Sequence, residues 1–108
     1  MYLTVSGEYT LSDFITYIKM IAEECEKEKI YRALLNVLDV KESNIPNMDR
    51  FYLGTEVAKV LGSKIKIALV AQDENINKYG ETVALNRGAL INIVGNVATA
   101  EEWLLNGV

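Results

Sequence analysis

The sequence predicts an α/β domain built on a mainly parallel sheet whose helices pack on one face. Three observations predict it. Segments of strand pattern alternate with segments of helical pattern along the whole chain. One face of each strand is apolar: Leu3/Val5, Ala33/Leu35/Val37, Ile65/Ile67/Leu69 and Ile91/Ile93. The opposite faces are mixed, with Thr4, Arg32, Asn36, Lys66 and Asn92 standing among Leu34, Leu38, Ala68, Val70, Leu90 and Val94. Parallel sheets covered on both sides read as continuous apolar runs. The alternation here predicts about four mainly parallel strands with about four helices on a single face. The second face is then expected to be half exposed, or covered by a partner or a second copy of the chain.

Residues 2–6 alternate as a first strand, punctuated by Gly7. A first helix is expected over Leu11–Glu28. There Leu11, Phe14, Ile15, Ile18, Ile21, Ala22 and Cys25 recur at helical spacing, and Thr10 precedes Asp13 as in a capping box. Residues 31–38 read as a second strand. Residues 39–48 read as loop, because Asn44, Pro46 and Asn47 disfavour regular structure and Pro46 pushes Ile45 towards an extended conformation. A second helix is expected over Asp49–Leu61, stopped by Gly62. Gly54 and Ala58 stand four apart on it and predict a close approach to the sheet. Residues 65–71 read as a third strand, Ile76–Arg87 as a third helix ended by Gly88, and residues 90–94 as a fourth strand. Thr99-x-x-Glu102 reads as a capping box opening a fourth helix. This helix turns Ala100, Trp103 and Leu104 inward and ends at Asn106-Gly107. No linker, repeat or low-complexity segment interrupts the pattern, so residues 1–108 read as a single domain.

A chain of 108 residues, 50% hydrophobic and 24% charged, can bury a core without staples. The net charge of −4 and the scatter of the 11 basic residues argue against nucleic acid, although Lys64-x-Lys66 is a local pair. The single cysteine, Cys25, excludes an intramolecular disulfide. Met1–Gly7 lacks a basic n-region and a long apolar stretch, so no secretory signal is expected. No apolar run approaches the ~20 residues of a membrane span. A reducing cytoplasm is the expected location. The chain has no histidine, which removes the usual general base near neutral pH and the commonest transition-metal ligand. A Ser-His-Asp or Cys-His site cannot be built from it. No cofactor is expected. Asp39, Asp49, Asp73 and Glu74 are of the type that binds hard cations, but without EF-hand-like spacing no metal site is expected.

Five segments together cover most of the chain: Leu34-Leu35-Asn36-Val37-Leu38-Asp39, Asp49-Arg50-Phe51-Tyr52-Leu53-Gly54, Lys66-Ile67-Ala68-Leu69-Val70, Val83-Ala84-Leu85-Asn86-Arg87-Gly88 and Ala100-Glu101-Glu102-Trp103-Leu104. In order and spacing they resemble SpoIIAA-like proteins of the STAS superfamily. The resemblance implies a single-wound β/α superhelix with helices on one side of the sheet. It also implies a regulatory or interaction module, and some relatives are likened to lipid-binding CRAL-TRIO domains. Phosphorylated STAS regulators carry an Asp-Ser-Ser-Gly-type motif where the loop enters helix 2. This chain has Asn47-Met48-Asp49-Arg50 there, and Ser43 lies earlier in the loop. The serine-phosphorylation switch is therefore not carried over.

Ligands of parallel sheets favour the carboxyl ends of the strands. Residues 39–49, 72–76 and 95–98 are expected to meet there, together with the helix N-termini. The candidate ligand or partner residues are Asp39, Ser43, Asn47, Asp49, Arg50 and Asp73. Asp39 reads either as an acceptor for a ligand or as a carboxylate tying down its own loop. Asp49 reads as an N-cap or first-turn acid. Arg50 gains nothing from the helix dipole, so it pairs with Asp39 or Asp49 or faces a ligand carboxylate or phosphate. Arg87 reads as a structural last-turn cation, Cys25 and Trp103 as core, and Glu81 beside Tyr79 as a solvated helix face. Arg32, Asn36, Lys66 and Asn92 read as a dimer or partner face. Alternatively they are ordinary solvent-facing positions, with Lys66 as an edge charge that deters aggregation.

Three functional readings follow. The first is a non-catalytic interaction or regulatory module that binds a protein partner or self-associates through the mixed sheet face. The second is a carrier of a small hydrophobic ligand, a lipid or acyl chain, in a pocket between helix 2 and the loops with Arg50 at its mouth. The third is an enzyme that uses converging carboxylates such as Asp39 and Asp49.

Overall fold

The computed structural model describes residues 1–41, 45–72 and 78–106. Strands and helices alternate as β1 (Tyr2–Glu8), α1 (Leu11–Glu28), β2 (Arg32–Lys41), α2 (Asn47–Val60), β3 (Lys66–Val70), α3 (Lys78–Asn86), β4 (Leu90–Val94) and α4 (Val97–Leu105). The four strands pair in sequence order, all parallel. The fold class is the one the sequence predicts. Right-handed crossovers between successive neighbours place α1, α2 and α3 on the same face. There Phe14, Ile18, Ile21 and Cys25 of α1, Val57 of α2 and Ala84 of α3 meet Ala33, Leu35, Val37 and Ile67 of the sheet in the main core.

The second face is not bare. A separate buried cluster joins Leu34, Ala68 and Val70 to Ala100 and Leu104 of α4, with Leu38, Val94, Val97 and Trp103 packed around it. The expectation of all helices on one face, which the STAS resemblance also implies, holds for α1–α3 and is corrected for α4. The physical reason is packing: the apolar side of α4, Ala100 and Leu104, settles on Leu34, Ala68 and Val70, which the first three helices leave open.

Local chemistry sets most element ends. Thr10 Oγ1 accepts the Asp13 N–H at 3.1 Å and opens α1. At its other end Lys29 adopts a left-handed φ of 54°, and the Lys29 and Ile30 N–H groups converge on the Cys25 carbonyl. Helix α2 starts at Asn47, two residues before the predicted Asp49, because Pro46 is pre-set as its N-cap and its carbonyl accepts the Arg50 N–H. Asp49 is thus a first-turn acid and not the cap. Helix α4 opens on Asn96, whose Oδ1 accepts the Thr99 N–H at 2.8 Å. Thr99 is therefore a first-turn residue whose N–H donates to the cap and is not itself the cap, which corrects the Thr99-x-x-Glu102 reading. The predicted start of α3 at Ile76 and the stop at Gly107 lie outside the described residues.

Strand β2 runs on to Lys41, through part of the predicted loop, because β1 continues beside it as far as Glu8. A bulge makes this extension possible. Thr4 pairs with Asn36 but Ser6 pairs with Asp39, so β2 gains one residue. The parity of β2 then reverses, and Val40 follows Val37 into the core while Asp39 turns outward. The groups the bulge displaces are satisfied by side chains. Asn36 Oδ1 accepts the Leu38 N–H at 3.0 Å, and Gln72 Nε2 donates to the Leu38 carbonyl at 2.7 Å.

Gly54 makes a close approach, but to α3 and not to the sheet as predicted. A Cβ on Gly54 would stand 2.5 Å from the Gly80 carbonyl oxygen and 3.1 Å from Val83. A Cβ on Gly80 would in turn meet the Arg50 carbonyl at 3.0 Å. The two helices cross with backbone against backbone. Gly54→Ala is therefore expected to lower stability by about 1–3 kcal/mol through overpacking. An unhindered helical glycine would instead gain up to about 1 kcal/mol from the same change. The midpoint of urea unfolding reads the sign directly.

Candidate functional site

Beneath α2, between the helices and the apolar sheet face, lies a cavity of about 100 Å³. Its floor is Leu35, Val37, Ile67, Leu69, Ile91 and Ile93, on the carboxyl-terminal side of the sheet's core face. Phe14 and Ile18 of α1 form one wall and Leu53, Gly54 and Val57 of α2 the roof. Gly80 and Glu81 of α3 close the far side. Two of these residues, Gly54 and Gly80, contribute no side-chain volume. The helix contact they permit thus leaves the space below it unfilled.

Arg50 and Glu81 are the charged residues of the lining among the described residues. Glu81 is only 8% exposed, which the sequence reading of a solvated helix face missed. Its Oε2 accepts the Ile93 N–H at 2.7 Å. Its Oε1 lies 3.2 Å from Lys78 Nζ, and Lys78 Nζ donates to the Ile93 carbonyl at 3.2 Å. The carboxylate is thereby neutralised and committed to the backbone of β4. The only sequence signal was the Lys78-x-x-Glu81 spacing in the first turn of a helix that precedes an edge strand. Arg50 is half-buried in the first turn of α2. The ion pairs among the described residues, Lys64–Glu26 and Lys78–Glu81, do not include it.

Asp49 does not pair with Arg50. Its Oδ2 accepts the Tyr9 hydroxyl at 2.9 Å, and the Tyr9 ring meets Phe14 edge-on with centroids 5.0 Å apart. This series ties the start of α2 to the start of α1 and holds Phe14 as a wall of the cavity. Asn47 is exposed at the first residue of α2, and Asp39 is exposed on β2 opposite Ser6. Ser43 and Asp73 lie outside the described residues. Of the six candidates at the strand ends, Arg50 reaches the cavity and Asp49 supports its wall.

The proposed partner face is dispersed by α4. Lys66 lies on an interior strand and is 7% exposed, so it is not the edge charge considered from the sequence. Its Nζ donates to the Trp103 carbonyl at 2.7 Å and sits 4.4 Å from the centre of the Trp103 ring. Asn36 is committed to the bulge, Asn92 is half-buried and Arg32 is exposed. Across the sheet, the Tyr2 hydroxyl donates to the Glu101 carboxylate of α4. Lys66 and Tyr2 thus hold α4, and Arg32, Asn36, Lys66 and Asn92 do not form one open surface.

The other residues singled out from the sequence are structural. Arg87 stacks over the Phe51 ring at 5.3 Å, joining the end of α3 to α2. Cys25 is fully buried, and that burial pushes its thiol above the ordinary cysteine range, with Glu24 adding to the shift and the N-terminal ammonium opposing it. Among the described residues no three carboxylate or thiol side chains gather as a metal site needs, and no helix is long and apolar enough to cross a membrane.

Comparison with family models, with curated proteins and with solved structures finds no match for this chain.

The lysine under Trp103 has a measurable role. Lys66→Ala removes a buried charged donor and its ring contact, and is expected to cost about 1–3 kcal/mol. Trp103 is the only tryptophan, so a red shift of native-state emission in the variant would report loosening of α4. An unshifted spectrum together with unchanged stability would show that the contact is dispensable.

Proposed function

We propose that this chain is a non-catalytic binding module whose cavity beneath α2 takes a small apolar ligand. The observation that carries the proposal is the cavity itself: an apolar space, bounded by three helices and three strands, on the carboxyl-terminal side of a parallel sheet where ligands are ordinarily held. At about 100 Å³ it accepts one ring or a short branched aliphatic group. A long acyl chain needs several times more, which narrows the lipid-carrier reading to small ligands. The charged groups nearby favour binding over turnover. Glu81 is held by Lys78 and the Ile93 N–H, and Asp49 by Tyr9. Neither is poised as an acid or base, and Asp39 faces away from the main core on the turned-out side of the bulge.

Titration of methyl-labelled protein with benzene tests this reading. Shifts are expected at Ile18, Val37, Leu53, Leu69 and Ile91, with a dissociation constant of the order of 1 mM. Leu69→Phe fills the space and is expected to abolish the shifts without loss of fold. Absence of cavity-specific shifts in the wild type would overturn the proposal.

A second reading, a protein partner as in regulatory modules of the STAS type, is favoured by one observation. Met48 and Tyr52, 63% and 51% exposed, stand one turn apart on α2. A partner docked there is expected to lose at least tenfold in affinity on Met48→Glu or Tyr52→Glu. Stability would be unchanged, because both side chains point to solvent. Unaltered capture of a partner by both variants would remove this surface from consideration.

A further inference from the structure

We propose that the open edge of β1 is a homodimer interface, at which Tyr2–Ser6 pairs antiparallel with the same segment of a second copy about a two-fold axis through Thr4.

The two edges of the sheet are not alike. On β4 the outward-facing residues are Ile91 and Ile93, since Val94 turns its carbonyl inward to the Ala71 N–H. Both outward groups of Ile93 are taken by side chains: Glu81 accepts its N–H and Lys78 donates to its carbonyl. An incoming strand would have to displace the buried Glu81 carboxylate and the lysine paired with it. On β1 the Leu34 N–H donates to the Met1 carbonyl and the Tyr9 N–H to the Lys41 carbonyl. The odd-numbered residues of β1 therefore serve β2, and the alternation of a strand turns the N–H and carbonyl groups of Tyr2, Thr4 and Ser6 outward. Among the described residues no side chain covers these groups as Lys78 and Glu81 cover Ile93.

The β1 segment itself fits a copy of itself. Tyr-Leu-Thr-Val-Ser is rich in strand-favouring residues and has no charge, proline or lysine to discourage pairing. Antiparallel self-pairing must match outward residues with outward residues, and centring it on Thr4 is the register that engages all three, Tyr2 with Ser6 and Thr4 with its own copy. Thr4 then faces its own copy, Tyr2 faces Ser6 of the copy, and Leu3 faces Val5. No like charges are opposed. Leu3 and Val5 are only half-buried within one chain, although they pack against the main core. Each would be covered by the other's copy, while Tyr2, 62% exposed, gains a neighbour on the opposite face. With β4 blocked at Ile93, pairing of β1 on β4 of another copy cannot propagate. The assembly closes as a dimer with one continuous eight-stranded sheet, and does not grow into a fibre. Self-association thus moves from the sheet face, which α4 occupies, to the sheet edge.

A charge-exchange experiment at the axis tests this. Sedimentation velocity of the wild type at about 100 µM is expected to give a dimer that dissociates on dilution. Thr4→Lys and Thr4→Glu each place like charges face to face at the axis, and each alone is expected to weaken dimerisation at least tenfold. An equimolar mixture of the two is expected to restore the dimer, as a heterodimer. The Thr4 side chain is exposed and its N–H points away from β2 with no partner among the described residues, so both variants retain the monomer fold, which far-UV circular dichroism checks. Ser6→Lys and Ser6→Glu repeat the test beside the axis if either Thr4 variant misfolds. A wild type that stays monomeric at this concentration, variants that remain dimeric, or a mixture that stays monomeric would each overturn the proposal.

Discussion

The backbone contact between Gly54 of α2 and the Gly80 carbonyl of α3 organises much of this molecule. Dispersion and burial favour close helix packing only where side chains allow it, and here two glycines remove the obstruction. The contact sets the level at which α2 lies over the sheet. It also fixes the first turn of α3, from which Lys78 and Glu81 reach the edge of β4. The cavity and the blocked edge are therefore two consequences of one helix crossing. A side chain at either glycine would fill the space below or push α3 away from the strand it covers.

Polar groups in this fold are largely consumed by its own architecture. Asn36 and Gln72 satisfy, in that order, the N–H and the carbonyl of Leu38 that the β2 bulge displaces. Lys66 is carried into the interior and meets a carbonyl and an aromatic face, which together offset the cost of removing its charge from water. Asp49 and Tyr9 hold α1 and α2 together at their starts. What remains for recognition is correspondingly simple: an apolar cavity, two exposed apolar side chains on α2, and one strand edge with its backbone groups turned outward.

The bulge and α4 show how small local events redistribute function. One extra residue in β2 reverses the side-chain parity, so that Val40 enters the core and Asp39 leaves it. Helix α4 covers the mixed sheet face. Together they remove Asp39 from the ligand end and Lys66 from the surface.

The sequence by itself determined the order and kind of the elements. Helical spacing marked α1 to its terminal residues, Gly62 and Gly88 marked the ends of α2 and α3, and strand alternation marked the face that forms the main core. Such features depend on residues near one another in the chain, where propensity, capping and periodicity act directly. Only the tertiary structure decided that α4 crosses to the second face, that β2 bulges, that Gly54 faces a helix instead of the sheet, and that Glu81 is buried against Ile93. Each of these joins residues distant in sequence or chooses between two faces that local chemistry makes nearly equivalent. The choice falls to packing, which no local pattern encodes.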